Sequence, residues 1–206
     1  MKKVFVIAGM ALSVVLTSCG GDKASSNATA SVESTPSAKF GIDTLTSVLK
    51  WKGSKSEEDF HVGSLKFKSG SLTAQGTENI TGEFVVDMSS MKVEDEKMKQ
   101  EERDMLKGHL DEVEFFNTGK FNEVKVKVNG YKDGKLSSVL TVLGKEMKQD
   151  IPVKVSNDGS KFTITGTFDI DFKELGLEGL AVNEKKPEET IKSVVNFDLN
   201  LVLNKQ

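Results

Sequence analysis

Apolar and polar residues alternate along most of the chain beyond Lys39. Phe162, Ile164, Phe168, Ile170 and Phe172 share one parity, and Thr163, Thr165, Thr167, Asp169 and Asp171 take the other. Val195, Phe197, Leu199, Leu201 and Leu203 repeat the pattern against Asn196, Asp198 and Asn200. Phe84, Val86 and Met88 do so within the stretch from Ile80 to Met88, and Val124, Val126 and Val128 alternate with Lys125 and Lys127. A period of two is the signature of a strand with one buried face. Asn129-Gly130, Asp133-Gly134 and Asn157-Asp158-Gly159 are short turn signals that supply positive φ angles. The pattern predicts about eight strands, over 41–54, 61–69, 71–76 together with 79–88, 119–129, 135–143, 146–155, 161–172 and 190–204. Such strands form an antiparallel sheet, wrapped on itself or folded onto a second sheet.

Residues 94–113, EDEKMKQEERDMLKGHLDEV, break the alternation. Met98, Met105, Leu106, Leu110 and Val113 fall on a narrow helical stripe, with Asp95 as the candidate N-cap. Gly108 costs a helix interior about 1 kcal/mol relative to Ala, so it marks a bend or an end. The stretch from Lys173 to Pro187 reads as a loop, and no long-period repeat is present.

The N-terminus has a different character. Lys2 and Lys3 precede an apolar run of 13 residues, Val4 to Leu16. A membrane-spanning helix needs about 20 residues, whereas a run of this length suits a secretory signal peptide. Leu16-Thr17-Ser18-Cys19 resembles the lipobox of bacterial lipoproteins, in which the cysteine is acylated and becomes the first mature residue. The expected organisation is a signal peptide over 1–18, a lipidated N-terminus and polar tether over 19–38, and one domain over 39–206. Several acyl chains anchor a protein stably where one does not. The expected location is therefore the outer membrane, facing the periplasm or the cell surface. Gly20 follows the cysteine, so the aspartate linked to inner-membrane retention is absent from that position.

Composition removes several function classes. Cys19 is the single cysteine, so its acylation leaves none for disulfides, thiol catalysis or Cys-based metal sites. Loss of Lys2 and Lys3 takes the net charge from −3 to −5, which argues against nucleic acid as a partner. His61 and His109 lie apart and belong to no local metal-ligand pair. No Gly-x-Ser-x-Gly elbow and no glycine-rich phosphate loop is present, and Glu57-Glu58 and Glu101-Glu102 sit in charged, solvated runs. His109, followed by Asp111, Glu112 and Glu114, reads as a hydrogen-bonded residue fixing a helix end. No catalytic residue, metal or cofactor is expected, and the protein reads as a non-enzyme. Twelve phenylalanines remain, many of them on the inward parity. They fit either a filled sandwich core or the wall of a barrel that holds a small ligand.

Ordered motifs add to this. LKWKGSK (49–55), HVGSLKFKSGSL (61–72), GEFVVDMSSMKVED (82–95), LKGHLDEVEFFNTGKFNEVKVKV (106–128) and VLTVLGKEMKQDIPVKV (139–155) together resemble the YceI-like family of bacterial periplasmic and lipoprotein domains. The resemblance covers about 39–204. It implies an all-β, eight-stranded, antiparallel lipocalin-like barrel that encloses a long isoprenoid, such as a quinone tail or a polyprenyl lipid. With that barrel, inward parity assigns the lining to Leu65, Phe67, Phe84, Val86, Met88, Leu140, Val142, Phe162, Ile164, Phe168, Ile170, Phe197, Leu199 and Leu201, and the segment at the mouth adds Leu106, Phe115 and Phe116. The helix would cross one side of the mouth, with Phe115-Phe116 tucked in behind it. One departure stands out: DIDFKELGLEGL, 169–180, lacks the arginine that family members tend to carry after the penultimate strand. The expected partners are an isoprenoid lipid and, through the acyl anchor, the membrane; a homodimer is left open. Two alternatives carry forward: a filled β domain that binds a protein through its loops, and a hydrolase using His109 or His61 with a carboxylate.

Overall fold

The computed structural model describes residues 36–180, 182 and 184–206, and of Glu188 the backbone alone. The expected signal peptide and Cys19 lie outside the described residues, as does the expected tether up to Thr35. Ser37 and Ala38, read from sequence as tether, already belong to the first strand.

Among the described residues the chain forms ten antiparallel strands and one α-helix. In order the strands are β1 (Ser37–Ile42), β2 (Val48–Ser54), β3 (Phe60–Gln75), β4 (Glu78–Val93), β5 (Glu123–Lys132), β6 (Lys135–Val142), β7 (Lys145–Pro152), β8 (Lys154–Asn157), β9 (Lys161–Asp171) and β10 (Val194–Lys205). One helix, α1 (Gln100–Asp111), follows β4, and three short 3-10 turns lie between β9 and β10.

Ten strands make an eight-position barrel because two positions are each filled by a broken strand. β1 and β2 both lie between β3 and β10, at different heights: Phe40 pairs Leu72 and Lys205, while Trp51 pairs Gly63 and Phe197. The break between them is an Asx turn, in which Asp43 Oδ1 accepts the N–H groups of Leu45 and Thr46 at 3.0 and 3.3 Å. β7 pairs β6 and β8 pairs β9, so the strand broken at Val153 closes the ring. Gly166 makes that kink possible, since a Cβ there would stand 2.4 Å from the Pro152 carbonyl oxygen. Toward the mouth β7 and β9 share no ladder. Gln149 Nε2 donates to the Asp169 carbonyl at 3.4 Å across this seam, and Lys145 Nζ donates to the Leu175 carbonyl at 2.7 Å.

The barrel class and the helix agree with the sequence reading; the strand boundaries differ. The expected 41–54 and 146–155 each break in two, for the reasons just given. The expected 61–69 and 71–76 join as the single long β3, which stays in the sheet through register shifts near Ser64–Lys66 and Phe67–Ser69. Asn129-Gly130 is not a turn. β5 runs on to Lys132 with an irregularity at Val128–Gly130, and the chain reverses at Asp133-Gly134, whose φ angles are 51° and 75°. Two successive positive φ angles are what a tight hairpin needs.

One end of the barrel is filled. Phe40, Leu72, Ala74, Ile80, Phe162, Ile164 and Leu203 are sealed from solvent there, and the rings of Phe40 and Phe162 sit 5.3 Å apart. Burying each large side chain is worth about 1.5–3 kcal/mol, so this plug is the stable base of the fold.

Candidate functional site

Above the plug the inward side chains do not meet. They enclose a cavity of about 380 Å³ whose wall is almost wholly apolar. Leu65, Phe67, Phe84, Val86, Met88, Leu106, Phe115, Phe116, Leu140, Val142, Phe168, Ile170, Phe197, Leu199 and Leu201 all line it. Phe162 and Ile164 do not; both lie in the plug. β9 climbs from the plug at Phe162 to the mouth at Ile170. Parity fixes which side of the wall a residue faces, and says nothing of its height.

The sequence reading missed other parts of the wall. Val124, Val126 and Val128 line the cavity and were visible as an alternating run. Leu49 and Trp51 line it from β2. Leu177, Leu180 and Ile191 come from the stretch between β9 and β10, where no periodic pattern announces them.

The mouth is built by two segments that clasp. α1 has no buried residue, so it sits on the rim rather than in the core, with Leu106, His109 and Leu110 turned to the cavity. Beyond it, Phe116 packs edge-on against Phe172 at 5.9 Å, Phe172 against Phe197 at 6.2 Å, and Phe197 stacks on Phe168 at 5.8 Å. This run of rings ties the turn after α1 to the barrel wall. Phe115 lies on Gly179, whose N–H donates to the Glu114 carbonyl at 2.8 Å.

Two expectations about this corner need correction. Asp95 is not the N-cap of α1. Lys99 occupies that position, and its N–H donates to Glu102 Oε2 at 2.7 Å. Nor does the His109 ring fix the helix end, because it makes no hydrogen bond among the described residues. The His109 carbonyl accepts the Glu112 N–H at 3.2 Å, and Asp111 does the remaining work. Its carboxylate pairs with Lys107 and accepts from Thr118 Oγ1 at 2.9 Å.

Asp95 is instead the partner of the other histidine. The Glu94 N–H donates to the Val62 carbonyl at 2.8 Å, which lays the end of β4 beside β3. Asp95, almost fully buried, then reaches His61 Nδ1 with Oδ2 at 3.0 Å and accepts the Lys97 N–H with Oδ1 at 3.0 Å. The His61 bond first, then the Lys97 N–H, hold the Asp95 carboxyl below its ordinary range. His61 itself lines the mouth of the cavity.

Polar groups in the wall are few. At the mouth stand Ser54, Lys55, Asp59, His61, His109 and Lys192, with Lys55 and Asp59 3.8 Å apart. Deeper in the wall are Trp51 and Ser138, whose Nε1 and Oγ are buried with no hydrogen-bond partner. Among the described residues no cluster of three His, Cys, Asp or Glu could hold a metal, and no helix is long and apolar enough to cross a membrane.

The family model for the YceI-like domain matches residues 22–203. The chain belongs to that family. No curated protein matches it in sequence. Among solved structures, the YceI-like barrel is similar to that of Burkholderia cenocepacia BcnA, with a TM-score of 0.64 at 15% identity, covering 78% of this chain and 98% of that one. It is also similar to a polyisoprenoid binding domain from Saccharophagus degradans implicated in plant cell wall breakdown, with a TM-score of 0.59 at 16% identity, covering 81% and 98%. At such identities these likenesses establish the shared fold. In this YceI-like chain the arginine-free stretch 169–180 supplies Phe172, Leu177 and Leu180 to the mouth, so the wall there is apolar.

Proposed function

We propose that the protein is a lipid-binding module that holds a long-chain isoprenoid, a quinone tail or polyprenyl lipid, in its barrel. The observation that carries this reading is the hollow: about 380 Å³ of space inside an apolar wall, with a filled base beneath it. Each CH₂ taken out of water is worth about 0.8 kcal/mol, so a few five-carbon units offset the cost of ordering the chain. The YceI-like family and a structural neighbour described as a polyisoprenoid binding domain support the reading. A filled interaction domain would leave no such volume. The same reading makes the protein a binder rather than an enzyme. With acylation at Cys19 it becomes an outer-membrane-anchored holder or carrier.

Native mass spectrometry and lipid extraction of the purified domain test it. A co-purifying isoprenoid, or stoichiometric uptake of one by the delipidated protein, is the expected result. A lipid-free protein that takes up no long-chain isoprenoid overturns the reading. Cys19→Ser should move the protein from the membrane to the soluble fraction, and an unchanged membrane fraction would refute the anchor.

A further inference from the structure

The barrel wall is not equally strong all the way round. β9 pairs β10 without a break, from Asp171 with Val194 to Lys161 with Asn204. β6 pairs β7 from Val142 with Lys145 to Lys135 with Pro152. β8 pairs β9 from Lys154 with Thr165 to Asn157 with Phe162. Beyond that, toward the mouth, β7 and β9 run side by side with no ladder between them. Pro152 explains where the pairing stops. Its carbonyl faces Gly166 of β9, and in a strand the N–H and C=O of one residue point the same way. The donor that a ladder needs on that side is missing, because proline has none.

Two side chains span this seam. Gln149 shares the inward parity of Met147 and Ile151, yet its amide reaches sideways to the Asp169 carbonyl at 3.4 Å, longer than a good hydrogen bond. Lys145 Nζ donates to the Leu175 carbonyl at 2.7 Å. Directly behind the seam stand Ile151 on β7 and Phe168 and Ile170 on β9, all of which line the cavity. The end of the barrel is held more firmly. There the Phe116, Phe172, Phe197 and Phe168 rings pack in a run, and Phe115 lies on Gly179. Opening the end pulls packed rings apart, whereas opening the seam breaks two side-chain bonds and no ladder. Local opening follows the weaker contacts.

We infer that the seam between β7 and β9 is a side door through which an isoprenoid chain enters the hollow broadside. β7 swings on Val153, whose N–H stays on the Gly134 carbonyl at 2.8 Å, and keeps its ladder to β6. At about 3.4 Å per residue the slot from Lys145 to Ile151 is about 20 Å long, so a tail passes in along its length instead of being fed end first. This inference rests on the lipid-binding reading and adds the route to it.

The test uses the full-length protein with Cys19→Ser, which removes the single native thiol. Asp150→Cys and Asp169→Cys, exposed on the two lips of the seam, are joined by a bis-maleimide with an internal disulfide. The probe is a quinone with an isoprenoid tail, which quenches the fluorescence of the single tryptophan, Trp51, in the cavity wall. The bridge is expected to slow uptake and release together by about tenfold or more at unchanged affinity, as a gate does. Reductant cuts the bridge, leaves both adducts in place and should restore the rates. Lys145→Met keeps the stem, loses the donor and should quicken both steps several-fold. A bridged protein that exchanges quinone at the unbridged rate, or one that loses affinity without slower exchange, overturns the side door and leaves lipid binding standing. Failure of the unbridged protein to take up this quinone or a polyprenol, read by native mass spectrometry, sinks the lipid-binding reading and the side door with it.

Discussion

Phe115 rests so closely on Gly179 that a Cβ on the glycine would stand 2.3 Å from the ring's Cζ. The contact joins the turn after α1 to the segment between β9 and β10, and both supply wall to the mouth. Gly179→Ala should push the Phe115 ring off its seat, because a ring on a rim turn moves more easily than the wall beneath it. Ligand release should quicken several-fold in stopped-flow displacement. Stability should stay within about 0.5 kcal/mol, the range of a surface change. An unchanged release rate would show that the clasp does not govern the mouth.

Ser138 sits among Leu136, Leu140 and Val142 on the inward face of β6, with its hydroxyl buried and unpartnered. Removing such a hydroxyl relieves a desolvation cost that no hydrogen bond offsets. Ser138→Ala should be neutral or raise stability by up to about 1 kcal/mol, read from the urea midpoint. A loss above that value would mean that the hydroxyl has a structural partner.

The plug and the hollow should answer differently to changes in size. Phe162→Ala opens a void in close-packed surroundings and should cost about 3–5 kcal/mol. Leu140→Trp adds volume where space already exists. It should escape most of the 1–3 kcal/mol that overpacking usually costs, while cutting isoprenoid uptake sharply. Paired denaturation and binding curves check both. Equal stability losses for the two variants would argue against a hollow interior.

Acid should unfold the protein partly through its turn carboxylates. Asp158 is held below its ordinary value near 3.8 by the Lys161 and Ser160 N–H groups and the Ser160 hydroxyl. A depressed folded-state pKa gives stability that is present above the unfolded value and lost as pH falls through the folded one. Stability should therefore decline below about pH 4. Asp158→Asn should start from lower stability at neutral pH and show a shallower acid decline, measured by urea titration at pH 6 and pH 3. An identical slope in the variant would contradict the assignment.

Much of this molecule could be read from its residues, and the gaps have physical causes. Alternation at 162–172 and 195–203 located β9 and β10 because both strands keep one wet face along their whole length. The same signal cannot tell Phe162 from Phe168, since one faces the plug and the other the hollow. Asn129-Gly130 misled because its preference for positive φ is a local tendency that continued pairing with β6 overrides. The mouth was hardest to see. Leu177 lies between two short 3-10 turns and Leu180 ends the second, with no period to mark them, and the His61–Asp95 pair joins residues far apart in sequence, brought together by the antiparallel return of β4 along β3.

The sealed base has a consequence for traffic. A molecule in this vessel cannot be threaded from one side of the barrel to the other. A chain longer than the hollow must leave its surplus at the rim, within reach of whatever membrane or protein next takes hold of it.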